Sequence, residues 1–201
     1  MGKLILVRHG ESEGNRDRMF AVEPRPLPLT ELGYRQAREA GEKIACLFKP
    51  CKVVASNYLR AHETARVIAE RFGMSVDTED QLHEREVGEL RGRSYDSIRS
   101  SPDYDPQRFW AWTPKGGESF LDVSKRVVPI IHRLAQMHLG RDVVVVSHGG
   151  VMKTLWAHFT GDWHGAYTPP NCGIVLVEHS AQGYGQPTVV GEWAGADHTG
   201  G

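Results

Sequence analysis

The chain alternates between short runs in which nearly every position is apolar and longer stretches in which apolar positions recur every three or four residues. Residues 3–7 (KLILV), 52–56 (KVVAS) and 142–147 (DVVVVS) are of the first kind. Runs that short without polar alternation predict strands covered on both faces. Two more β-branched runs, 173–178 and 188–191, stand near the end. The spacing predicts a helix over 31–48, where Leu32, Ala37, Ala40, Ile44 and Leu47 share a stripe, Thr30 is placed to cap the start and Pro50 follows the end. A second helix is predicted over 57–72, with Gly73 as its stop, and a third over 118–139, which Pro129 should kink or shorten. A fourth, 149–159, follows the third strand almost without a loop. Strands spaced by helices predict parallel pairing and an α/β fold: three layers, α/β/α, with a mostly parallel central sheet flanked by helices.

Residues 91–117 break the pattern, mixing Pro, Asp, Ser and aromatic residues without clear periodicity. They are read as a lid insertion over one end of the sheet, carrying short helices. Residues 1–194 are then one domain, with a frayed Gly-rich tail at 195–201.

Composition narrows the function classes. A 201-residue chain, 40% hydrophobic and 24% charged, has the make-up of one globular domain. A net charge of -1 speaks against nucleic acid or an anionic membrane as the main partner. Three cysteines without CxxC spacing, no apolar leader and no membrane-length apolar run point to a reduced, cytoplasmic protein. Cys46, Cys51 and Cys172 are read as packing residues.

Ligands of open α/β sheets collect where strands end and helices begin. Two of the best strands end there in a histidine followed by glycine: Arg8-His9-Gly10 and Ser147-His148-Gly149-Gly150. Arg8 and Arg60 reach the same edge, and a guanidinium fork matches phosphoryl oxygens; the plain alternative for Arg60 is an ion pair with Glu63. Glu84, Glu86 and Glu89 compete for the part of a general acid, and spacing does not choose among them.

The ordered set of Arg8-His9-Gly10-Glu11, Asn15, Pro28-Leu29-Thr30 with Gly33, Gln36 and Ala37, Leu59 to Ala65, Leu82-His83-Glu84 with Gly88 and Gly92, Gly117-Glu118-Ser119 and Ser147 to Gly150 resembles the histidine phosphatase superfamily, in its phosphoglycerate mutase-like branch. The resemblance implies a phosphatase that splits a small phosphomonoester and releases inorganic phosphate, with no metal and no cofactor. His9 becomes the nucleophile and Glu84 the proton donor, so Glu86 and Glu89 revert to surface charge. Arg8, Asn15, Arg60, His148 and Gly149 become the phosphate contacts, with His148 charged beside the phosphate and Gly10 letting the backbone approach the anion. The family often has arginine where this chain has Lys153, a departure that leaves a substrate contact there open, with a solvent-facing lysine on the helix as the plain alternative. Phe20, Tyr95, Phe109, Trp110 and Trp112 are candidates to touch the leaving group, with most of them expected as lid core instead.

Three alternatives remain. One is a cofactor-dependent phosphoglycerate mutase, favoured by Arg85 after Glu84 but missing the mutase signatures after Gly92. Another is a phosphate-binding scaffold of the same fold without turnover. A metal site is disfavoured by histidine spacing, since His132 and His138, like His158 and His164, are six apart and do not share a helical face. A homodimer is left open.

Overall fold

Each predicted apolar run enters one sheet. The computed structural model describes residues 1–191. It contains β1 (Gly2–Arg8), β2 (Pro50–Ala55), β3 (Val76–Thr78), β4 (Asp142–Ser147), β5 (Ile174–Ser180), β6 (Gly183–Tyr184) and β7 (Thr188–Val189). The order across the sheet is β3-β2-β4-β1-β5-β6, with β7 on β5. The first four pair in parallel. Alternate side chains of β1 and β4 point to opposite faces, and both faces are covered. Leu4, Leu6, Val143 and Val145 pack with α4 (Phe120–Met137) and α5 (Gly149–Thr160); Ile5, Val7, Val144 and Val146 pack with α2 (Glu31–Leu47) and α3 (Leu59–Glu70). The predicted three-layer fold is the observed one, and double burial explains the unbroken apolar runs.

Several boundaries differ from expectation. β5 runs antiparallel to β1, as do β6 and β7 to β5. β3 went unseen because three half-exposed residues carry no period. α4 begins at Phe120, where Ser119 and Asp122 form a capping box, and it continues through Pro129 to Met137. Pro129 lies on the exposed side, where the carbonyl that loses its donor can be hydrated. Leu47 lies off the buried stripe, whereas Gly33 and Gly41 lie on it. α3 starts at Leu59 and turns that leucine outward while burying Arg60.

Residues 91–117 form an extended cover with two 3-10 turns, Tyr95–Ser100 and Pro106–Arg108. They are tied to the loop after α1 (Glu13–Arg16), where Phe20 exchanges backbone bonds with Arg93 and Gly92. The predicted tail at 195–201 lies outside the described residues. Among those described, no helix is long and apolar enough to cross a membrane.

Candidate active site

Register brings the two histidines together. Arg8 pairs with Ser147 across β1 and β4, the His9 amide donates to the Ser147 carbonyl at 2.9 Å, and the His9 and His148 rings meet edge-on with centroids 5.1 Å apart. β2 ends on the other side of β4, so the first turn of α3 delivers Arg60 to the same place. Arg60 donates through Nε to His9 Nε2 at 3.1 Å and through a terminal nitrogen to the Pro24 carbonyl at 2.6 Å. Glu63 is engaged elsewhere, accepting from the Leu29 amide and the Tyr34 hydroxyl.

His9 Nδ1 lies 2.6 Å from the Gly10 carbonyl. A carbonyl only accepts, so Nδ1 carries the proton and the lone pair is on Nε2, the atom facing Arg60. Burial first, then Arg60 and Arg8, holds the His9 pKa well below its ordinary value, and the ring is neutral. His148 is pushed the same way by burial, Arg60 and His9, so without a bound anion it too is neutral. It is fully buried, with Nε2 against Ser56 Oγ at 2.8 Å and Nδ1 without a partner. Arg8 donates to the Pro169 carbonyl at 2.9 Å and keeps a buried, unpartnered Nε.

The Glu84 carboxylate sits at the start of α5. Oε1 accepts from the Arg85 amide at 2.7 Å, and the Gly150 amide lies 3.1 and 3.2 Å from the two oxygens. A Cβ on Gly150 would stand 2.4 Å from Oε1, so glycine is what lets the acid approach the helix. Arg126 braces this segment from α4 by donating to the carbonyls of Gln81, His83 and Glu84 while pairing with Glu118.

Other readings need correction. Glu86 is not free surface charge: it is half-buried, lines the cavity and accepts from the Tyr58 hydroxyl at 2.8 Å and from Arg91. Burial and then the Glu86 bond push the Tyr58 phenol up to about 12. Glu89 is exposed as expected. Gly10 has its smallness used by α2, since a Cβ there would lie 2.5 Å from the Gly33 carbonyl. Lys153 does not face solvent but lines the cavity. Phe20 and Tyr95 line it too, whereas Phe109, Trp110 and Trp112 stand outside the lining. Cys46 is exposed rather than packed. The histidines that meet are neither of the pairs compared by spacing: His132 of α4 faces His158 of α5, with their Nε2 atoms 3.2 Å apart.

The cavity, about 340 Å³, is also walled by Arg8, His9, Asn15, Arg60, Glu84 and Gly149. His148 lies just behind that wall. The loop at 168–173, which carries no motif in the sequence, holds the first strand exit from behind. Asn171 Nδ2 donates to the His9 carbonyl at 2.9 Å and to Asn15 Oδ1 at 3.2 Å, and the Cys172 amide donates to the Arg8 carbonyl at 3.0 Å. Asn171 lies 162 residues beyond His9, so no local pattern could have linked them.

A parallel sheet whose adjacent strand ends bring together two histidines, the partly buried Arg8 and the buried Arg60 of α3 defines a class. The model of the histidine phosphatase superfamily (branch 1) matches residues 4–189, and the chain belongs to that family of enzymes. Among its relatives, a glucosyl-3-phosphoglycerate phosphatase of Mycolicibacterium vanbaalenii is 30% identical over 79% of this chain and 74% of its own length. A 2,3-bisphosphoglycerate-dependent phosphoglycerate mutase of Parvibaculum lavamentivorans is 33% identical over 76% of this chain and 77% of its own. The solved mycobacterial glucosyl-3-phosphoglycerate phosphatase complexed with VO3 superposes with a TM-score of 0.80 at 25% identity, covering 93% of this chain and 96% of that one.

Proposed function

We propose that the protein hydrolyses a small phosphomonoester without a metal ion, through a phosphohistidine on His9, with Glu84 as proton donor. The observation that carries this reading is the fixed tautomer of His9, which puts the lone pair on Nε2 beside Arg60 Nε, on a ring that lines a cavity walled also by Arg8 and Arg60. In the first step Nε2 attacks phosphorus, the bond to the leaving oxygen breaks, and Glu84 in its acid form gives that oxygen a proton. Arg8, Arg60, Asn15 and the Gly149 amide hold the phosphoryl oxygens, and the buried free Nδ1 of His148 supplies a further contact once the dianion draws a proton onto that ring. In the second step Glu84 takes a proton from water, the new oxygen bonds to phosphorus, the N–P bond breaks, and inorganic phosphate leaves.

A panel of phosphate esters assayed in chelator tests this reading. Phosphate release is the expected result, and none from any ester would leave a binding scaffold as the better account. The Parvibaculum relative favours a mutase as the second reading. Adding 3-phosphoglycerate with a bisphosphoglycerate primer to the panel separates the two, isomerisation supporting the mutase and phosphate release the phosphatase.

A further inference from the structure

Away from His9 the cavity carries a cation that the phosphoryl chemistry leaves unused. Lys153 lies one turn into α5 from Gly149 and Gly150, and no carboxylate or hydrogen-bond acceptor among the described residues meets its ammonium group. Its surroundings are rings: Nζ is 5.2 Å from the centroid of Phe109 and 5.9 Å from that of Phe120. The Arg85 guanidinium stacks on the same Phe120 at 4.4 Å and donates to the Glu118 carbonyl at 3.2 Å. Burial, and then Arg85, lowers the Lys153 pKa, so this ammonium is held at a cost that an added anion would relieve.

The other charges on the wall are already matched. Arg91 is paired with Glu86, the Arg85 guanidinium lies in the field of Glu84 and Glu118, and a phosphoryl dianion would answer Arg8 and Arg60. Among the described residues of the wall, Lys153 is the cation with no carboxylate acting on it. Lys153 lines the cavity itself, where an added anion could reach it.

From this imbalance we infer that Lys153, with Arg85 beside it on the Phe120 ring, forms a second anion position that reads a carboxylate on the leaving alcohol. The inference rests on the phosphatase reading for where the phosphoryl group sits. It makes the substrate a phosphomonoester whose alcohol carries its own negative charge. Neutral alcohols then leave Lys153 unanswered.

The test compares three esters of similar size: 3-phosphoglycerate, glycerol 3-phosphate, and propane-1,3-diol bisphosphate. For the parent enzyme, kcat/KM for the carboxylate ester should exceed that for glycerol 3-phosphate by roughly tenfold to a hundredfold, the range of one charge-assisted hydrogen bond. Lys153→Met, which keeps the contact with both rings, should shrink that ratio to about threefold or less, chiefly through KM, and Lys153→Arg should restore part of it. A larger gain with the bisphosphate would keep the subsite and assign it a second phosphate. A parent ratio near one, or an unchanged ratio in Lys153→Met, overturns the inference. Calorimetric binding of the same three compounds separates the two readings: no turnover of any ester, with the binding difference still dependent on Lys153, would strike the phosphatase reading and leave the subsite standing.

Discussion

Two neutral imidazoles packed edge-on among guanidinium groups make the site sensitive to acid. Both His9 and His148 are shifted below the ordinary value of 6.5, burial being the larger cause in each. Above pH 6.5 the rings are neutral in the folded and unfolded chain alike, and they add no pH dependence. As pH falls below 6.5 the unfolded chain takes up protons that the folded one refuses, so stability declines until the lowered folded values are reached. Each ring contributes a slope of up to about 1.4 kcal/mol per pH unit in that window. Denaturant unfolding between pH 7.5 and 5.0 should show this loss, and His148→Gln should flatten it. An equal slope in the variant would mean that other groups govern the acid limb.

At the scale of elements, the site depends on helices that reach across to loops. Arg126 is the clearest case, because one side chain of α4 fixes the carbonyls on both sides of Glu84. Arg126→Met leaves those carbonyls without this donor and the half-buried Glu118 with only the Glu86 amide, a loss of about 3 kcal/mol on the scale of a broken buried pair. The same change should lower kcat for alkyl phosphates by roughly tenfold, since displacing the acid costs most where the leaving group is poor. Denaturant titration and steady-state kinetics check both effects. Full kcat with reduced stability would make Arg126 a brace for the fold only. The strands were legible because double burial writes itself as continuous apolar runs, and α5 because its start directly follows such a run. The antiparallel direction of β5 was not, since direction is set by partners far away in sequence. The inward turn of Arg60 was legible only through the ordered motifs, because a charged residue on a helix otherwise reads as solvated or paired with Glu63.

For the whole molecule, topology converts separate short motifs into one pocket. β1, β4 and β2 are adjacent only after the chain has crossed the sheet several times, and their carboxyl ends carry His9, His148 and the approach to Arg60. The ordered motifs let the sequence name those residues, and the structure brings all but His148 onto one cavity wall. What sequence order could not reveal was support from behind. Asn171 holds the His9 carbonyl, and Gly33 makes room for Gly10, through contacts between remote segments. The place of Lys153 stayed open in the sequence for a similar reason: its surroundings are decided by where Phe109 of the cover and Phe120 of α4 come to rest.

The central claim is that His9 Nε2 carries the phosphoryl group during turnover. Rapid acid-free quenching of the enzyme with its best ester in chelator, followed by intact-mass measurement and peptide mapping, tests it directly. The account predicts one phosphoryl group on His9, labile in acid and stable in alkali, that is absent from His9→Ala. Turnover with no phosphoryl group on His9, or hydrolysis retained by His9→Ala, would contradict it.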